Sequence, residues 1–114
     1  MSINYSQQIG KKITTRGIKK ICIHVEDILY IQCDGDFSTL ILNDLTHVSE
    51  IRSLRAFEED LRDMGFIRIS RNTLINGKYI SKVDTNQGKR VVFLGEIELN
   101  VTKRKLPELR KALY

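Results

Sequence analysis

The chain has little of what marks a secreted scaffold, a membrane protein or a common enzyme. It holds two cysteines, Cys22 and Cys33, in 114 residues. Both lie in apolar-periodic segments and are expected as small buried residues, not as a disulfide. The stretch Met1–Gly10 is polar and lacks the apolar core of a secretory signal. No apolar run approaches the roughly 18 residues of a membrane span, so the cytoplasm is the expected compartment. There is no Gly-rich phosphate loop and no nucleophile elbow. His24 and His47 stand apart from each other and from any cysteine at metal-like spacing. Asp34-Gly35-Asp36 lacks the further acids of a calcium loop and reads as a turn. No enzyme activity, cofactor or metal is therefore expected. Aromatic residues make up 7% of the chain, and none forms the paired stacking pattern of an RNA-binding sheet. Among nucleic acids, that favours a duplex over a single strand.

Acid is also missing where base is dense. Residues 1–20 carry five bases (Lys11, Lys12, Arg16, Lys19, Lys20) and no acid. Residues 21–66 carry ten acids and three bases, a balance of −7. Residues 67–100 stand at +3 and residues 101–114 at +4, within a net charge of +5. Folding could bring the basic parts together, and such a surface suits a polyanion. A solvated surface with chance clustering would leave the same composition.

The length suits one domain, and no repeat, low-complexity tract or linker divides it. Residues 1–17 read as a flexible basic tail and residues 18–114 as the folded domain. After the tail the apolar period is mostly two. Ile18 to Val25, Ile28–Cys33 and Phe37–Leu42 read as strands, the last two joined as a hairpin by Asp34-Gly35-Asp36. Asn43-Asp44 turns the chain towards a short strand, Thr46–Val48. Ile51, Leu54, Phe57, Leu61 and Met64 then recur at helical spacing, with Arg52, Arg55, Glu58, Glu59, Arg62 and Asp63 on the other face and Gly65 at the end. This helix is acidic overall and suits packing on a sheet better than reading a groove. Phe66–Ile69, Tyr79–Asp84, Arg90–Leu94 and Ile97–Val101 read as further strands. The single proline, Pro107, fits the first turn of a basic C-terminal helix starting near Leu106, with Thr102–Lys105 as a loop. The expected fold is a mostly β, α+β domain of about ten short, mainly antiparallel strands, one central amphipathic helix and a C-terminal basic helix.

Two clusters carry the nucleic-acid chemistry. Ser70-Arg71-Asn72 sits between a strand and an apolar turn; Arg can clamp O6 and N7 of guanine, and Asn suits adenine. Thr102-Lys103-Arg104-Lys105 follows the last strand, and three adjacent bases cannot all face a core. Each cluster taken alone also reads as a solvated charge run.

The order of these motifs resembles the LytTR DNA-binding domain of bacterial response regulators of the LytR/AlgR type. The resemblance spans about Ile18 to Leu113. It rests on Val25-Glu-Asp-Ile-Leu-Tyr-Ile31, on the hairpin loop Asp34-Gly-Asp-Phe37 and on the helix Leu54–Leu61. It rests further on Gly65-Phe-Ile-Arg-Ile-Ser-Arg-Asn-Thr-Leu-Ile-Asn76, which is similar to the family's F-x-R-(I/V)-H-R-S-x-(L/V)-(V/I)-N, and on Val101-Thr-Lys-Arg-Lys105. The resemblance implies a mostly antiparallel β fold that binds duplex DNA through loops entering successive major grooves. By position, Ser38 would face one major groove, Arg71 and Asn72 would read bases or bind phosphate, and Arg104 would read a base. Lys103 and Lys105 would lie alongside, and Arg90 would touch phosphate.

Three departures bear on this expectation. Ser70 stands for the common His and Asn72 for the common Ser, which bears on the target sequence more than on the activity. Thr102-Lys103 stands for Ser-Arg, trading bidentate readout for a point charge. Family members often carry a receiver domain ahead of this one, and the short leading segment fits either a stand-alone regulator or a piece of a longer one. The expected function is a transcriptional regulator on promoter repeat sites, with a second copy on the DNA and a sensor or RNA polymerase as further partners. The alternative is a protein–protein adaptor that kept the fold without readout, which a gel shift at two salt concentrations discriminates.

Overall fold

A computed structural model describes residues 5–17 and 19–113. Ten strands and two helices are present among them. Strands β1 (Lys12–Thr14) and β2 (Cys22–His24) form an antiparallel pair. Strands β3 (Ile28–Asp34), β4 (Phe37–Leu42), β5 (His47–Ile51), β6 (Phe66–Ser70) and β7 (Thr73–Asn76) form a five-stranded sheet in the order β5-β4-β3-β7-β6. Strands β8 (Lys82–Asp84), β9 (Val91–Leu94) and β10 (Ile97–Asn100) form a third sheet in the order β10-β9-β8. Helix α1 is Leu54–Asp60 and helix α2 is Leu106–Leu113. Every strand pairing is antiparallel. The expected β-dominated α+β fold stands.

Two-residue alternation builds a core on each face of the five-stranded sheet. Ile31 lies between Leu40 and Leu74 in the ladder. These three pack with Leu54, Phe57 and Leu61 of the α1 region and with Ile13 and Ile23 of the two-stranded sheet. Ile41 and Ile75 flank Tyr30 in the ladder and turn to the opposite face. There they meet Val92, Leu94, Val101 and Leu109, so the three-stranded sheet and α2 cover that side. Pro107 falls in the first turn of α2, where its missing N–H costs no helical bond.

The central hairpin shows why the turn sequence matters. Asp34 pairs with Phe37 and leaves Gly35-Asp36 as a two-residue loop. Gly35 takes φ 63°, a left-handed conformation that a side chain would resist.

Four expectations are corrected. Residues 12–14 of the expected flexible tail form β1, and the preceding single-turn 3-10 helix Tyr5–Gln8 buries Gln8. The Gln8 amide exchanges hydrogen bonds with Asn76, at 2.8 and 3.3 Å, and donates to the Met64 carbonyl at 2.7 Å. A polar residue is thus held inside by polar partners, which a local apolar pattern does not reveal. Ile51 is not in the helical stripe: it ends β5, opposite Phe37, and is 77% exposed. The helix starts later because the Ser53 hydroxyl caps it, accepting from Ala56 N at 3.1 Å. It also stops earlier, at Asp60, and Asp63 and Gly65 turn the chain with positive φ. Arg52, expected on the solvated face, is buried beside Glu50 and lies 4.5 Å from the Phe57 ring centroid. Cys22 is exposed at an outward position of β2, and Cys33, on the core side of β3, is half-buried because it lies near the strand's end.

Candidate nucleic-acid interface

One end of the five-stranded sheet gathers three separate chain segments. The β3–β4 tip supplies Cys33, Asp34 and Gly35; the β6–β7 loop supplies Ser70, Arg71 and Asn72; the segment after β10 supplies Thr102, Arg104 and Lys105. With Arg68 they line an open cleft of about 890 Å³. Main-chain bonds lock the segments to one another. Cys33 N donates to Asn72 O at 2.9 Å, and Thr102 N donates to Ile69 O at 2.9 Å.

The β6–β7 loop is braced from within and from outside. The Ser70 hydroxyl donates to Asn72 Oδ1 at 2.8 Å and accepts from Asn72 N at 3.3 Å. Thr73 Oγ1 adds a bond to Asn72 Oδ1 at 3.3 Å. The Asn72 carboxamide oxygen is therefore engaged by the protein, while its amide nitrogen has no partner among the described residues. Arg68 closes the loop from behind. Its guanidinium donates to the carbonyls of Ser70 (3.1 Å) and Arg71 and pairs with Glu58 of α1 at 3.2 Å. Bonds from a charged donor are stronger than neutral ones, so this is a firm brace. Sequence reasoning does not single out Arg68 as a functional residue. Its one signal is a lone arginine between Ile67 and Ile69, which alternation places opposite to the two buried isoleucines.

The expected contact residues differ in exposure and pairing. Arg71, Lys103 and Arg104 are exposed and make no ion pair with a described acid. Lys105 is half-buried and pairs with Glu108 at 3.3 Å. Arg90 is outside the main cleft. It lines an adjoining one that shares Ser70, Asn72 and Thr102, and its Nε is anchored on the Val101 carbonyl at 3.1 Å. Ser38 is corrected: it is fully buried, and its hydroxyl donates to the Arg52 carbonyl. Alternation along β4 sends Ser38 to the core side, opposite Cys33 and Glu50. The exposed residue at that point is its neighbour Phe37, at 51%.

The electrostatics are sorted by depth. Two of the ion-paired arginines, Arg52 and Arg68, serve the framework. Two of the exposed cations without an ion pair, Arg71 and Arg104, belong to two different loops of one cleft. Asp34 adds an acid to the same wall, which disfavours phosphate there but can accept from the amino group of cytosine.

Comparison with known proteins gives a family by sequence and a similar fold by structure. The family model of the LytTr DNA-binding domain matches residues 19–114. A search of curated protein sequences gave no significant match. The fold is similar to a solved LytTr DNA-binding domain from a Bacillus cereus protein described as a methyl-accepting/DNA response regulator. That match has a TM-score of 0.75 and 18% identity, and covers 90% of this chain and 96% of the other. With the family model matching nearly its whole length, the chain belongs to the LytTR family of DNA-binding domains.

Proposed function

We propose that this DNA-binding domain acts as a sequence-specific transcriptional regulator whose loops enter successive major grooves of duplex DNA. Arg71 and Asn72 are the reading pair of the β6–β7 loop, and Arg104 reads a base from the last loop. Lys103, Lys105 and Arg90 hold the backbone. An Arg fork matches guanine O6 and N7, and the unpartnered Asn72 amide nitrogen suits an acceptor on a base edge. Two copies on a repeat site would multiply both affinity and selectivity.

The observation that carries this reading is the pair Arg71 and Arg104, exposed in one cleft and without acid partners among the described residues. A cation on a solvated surface adds little to folding. Set against a duplex, it displaces condensed counterions and contributes to binding. The hydrogen bonds among Ser70, Asn72 and Thr73 fix the loop before the partner arrives, which reduces the ordering cost.

The test is selection of bound sites from a random duplex library, followed by titration at several salt concentrations. A defined repeat motif should emerge. The log–log salt dependence should have a slope near −0.9 per phosphate neutralised. Failure to bind any duplex at low salt would overturn the reading.

A further inference from the structure

A second set of unpaired cations lies in the turn between β1 and β2. Arg16, Lys19 and Lys20 are exposed and have no ion-pair partner among the described residues. The turn that carries them is pinned. Thr15 N donates to Ile21 O at 2.8 Å, and Ile21 N donates to Thr15 Oγ1 at 2.8 Å. Arg16 N donates to Glu50 Oε2 at 2.6 Å, and Arg52 Nη2 donates to Thr14 O at 3.1 Å. Glu50 and Arg52 are buried and face each other at 3.3 Å. The acid that anchors the turn is thus matched internally and does not cancel the charges the turn displays.

The anchor also fixes where the turn lies. Glu50 stands opposite Ser38, Ser38 opposite Cys33, and Cys33 N reaches Asn72 O. These are three steps across neighbouring chains, about 14 Å at ~4.8 Å each. They run along the end of the sheet that carries the β3–β4 tip and the β6–β7 loop. A B-form major groove is about 12 Å wide. With the β6–β7 loop in the groove, a turn about 14 Å away would fall near a bordering phosphate strand.

We infer that the β1–β2 turn is a further DNA contact, a phosphate clamp made by Arg16, Lys19 and Lys20 on the backbone flanking the groove. The inference rests on the DNA-binding reading above and deepens it. The clamp supplies affinity without sequence preference, whereas the cleft loops supply the preference.

The test is the double variant Lys19→Ala/Lys20→Ala, titrated on the selected site and on a scrambled duplex. The salt slope should become shallower by about 2, at ~0.9 for each phosphate no longer neutralised. Affinity should fall on the order of 10-fold on both duplexes alike. The charge-keeping variant Lys19→Arg/Lys20→Arg should retain the wild-type slope. A wild-type protein that binds, with an unchanged slope in the alanine variant, would overturn the clamp and leave the cleft reading intact. A loss confined to the selected site would also overturn it, since that is the behaviour of base readers. A wild-type protein that binds no duplex overturns both. If the alanine variant melts early by circular dichroism, Lys19→Gln/Lys20→Gln is judged by the same slope and duplex comparison.

Discussion

Arg68 Nε donates to the Ser70 carbonyl oxygen at 3.1 Å, so a strand residue holds the loop that follows it. The same guanidinium reaches the Arg71 carbonyl and Glu58 on α1. It acts on the interface through the main chain of Arg71 without being an exposed reader itself. Arg68→Ala should weaken DNA binding by about 1.5–3 kcal/mol, the usual worth of hydrogen bonds to a charged group. Hydrogen exchange at Arg71 and Asn72 should accelerate in the free protein. Lost affinity with unchanged loop protection would make Arg68 a direct contact.

Arg104 and Lys103 are neighbours with different expected roles. Arg104→Ala should cost about 1–3 kcal/mol on the selected site and relax preference at one base position. Lys103→Ala should weaken all duplexes about equally and make the salt slope shallower by about 0.9. Competition binding with single-base operator variants separates the two. Equal losses on all sequences for Arg104→Ala would move it to the backbone class.

Glu50 and Arg52 form a buried pair with side chains 1% and 3% exposed. Arg52 also meets Asp60 at 3.3 Å and the face of Phe57. Glu50 Oε1 and Arg52 Nε have no hydrogen-bond partner among the described residues, so the pair is attractive but incompletely satisfied. Removing one partner strands a buried charge; Glu50→Gln or Arg52→Met should cost about 3–5 kcal/mol. The double variant should recover a large part of that loss. Denaturant melts of the four proteins give the coupling, and additive losses would refute it.

Gln8 and Asn76 exchange hydrogen bonds between fully buried amides. Gln8→Ala should cost about 1–3 kcal/mol by leaving part of the Asn76 amide unsatisfied. Asn76 also donates to Ile28 O at 2.8 Å, so its own replacement by alanine should cost more. Urea denaturation compares the two directly. A neutral Gln8→Ala would mean that the buried Gln8–Asn76 pair contributes nothing to stability.

Local signals make much of this architecture legible. The hairpin around Gly35 announces itself by alternation and by a breaker at its tip, and Leu54, Phe57 and Leu61 by helical spacing. Signals that span the chain are not legible. Gln8 looks like part of a loose tail because its partner is 68 residues away. Ile51 fits the helical spacing by chance, and the Ser53 cap decides that it belongs to a strand. Arg52 reads as solvated until Glu50, Asp60 and Phe57 surround it. At the interface, motif order points to Arg71, Asn72 and Arg104, and the fold brings them to one cleft. Ser38 rests on motif position alone, and strand alternation turns it inward. Arg68 stands in the matched motif between two buried isoleucines, but its bracing role is not legible, because it depends on the carbonyls of a loop, which have no sequence signature.

The bond from Thr102 N to Ile69 O does more than close a gap between two strands. It ties the base of the β6–β7 loop to the segment carrying Arg104, like the joint of a caliper. A caliper measures distance before it reads anything. DNA advances about 3.4 Å and turns about 35° per base pair. An operator with one base pair inserted between the points touched by Arg71 and Arg104 would present every correct base at the wrong place. If Arg71 and Arg104 read bases as proposed, spacing is part of what this domain recognises, set in part by a main-chain bond away from the readers.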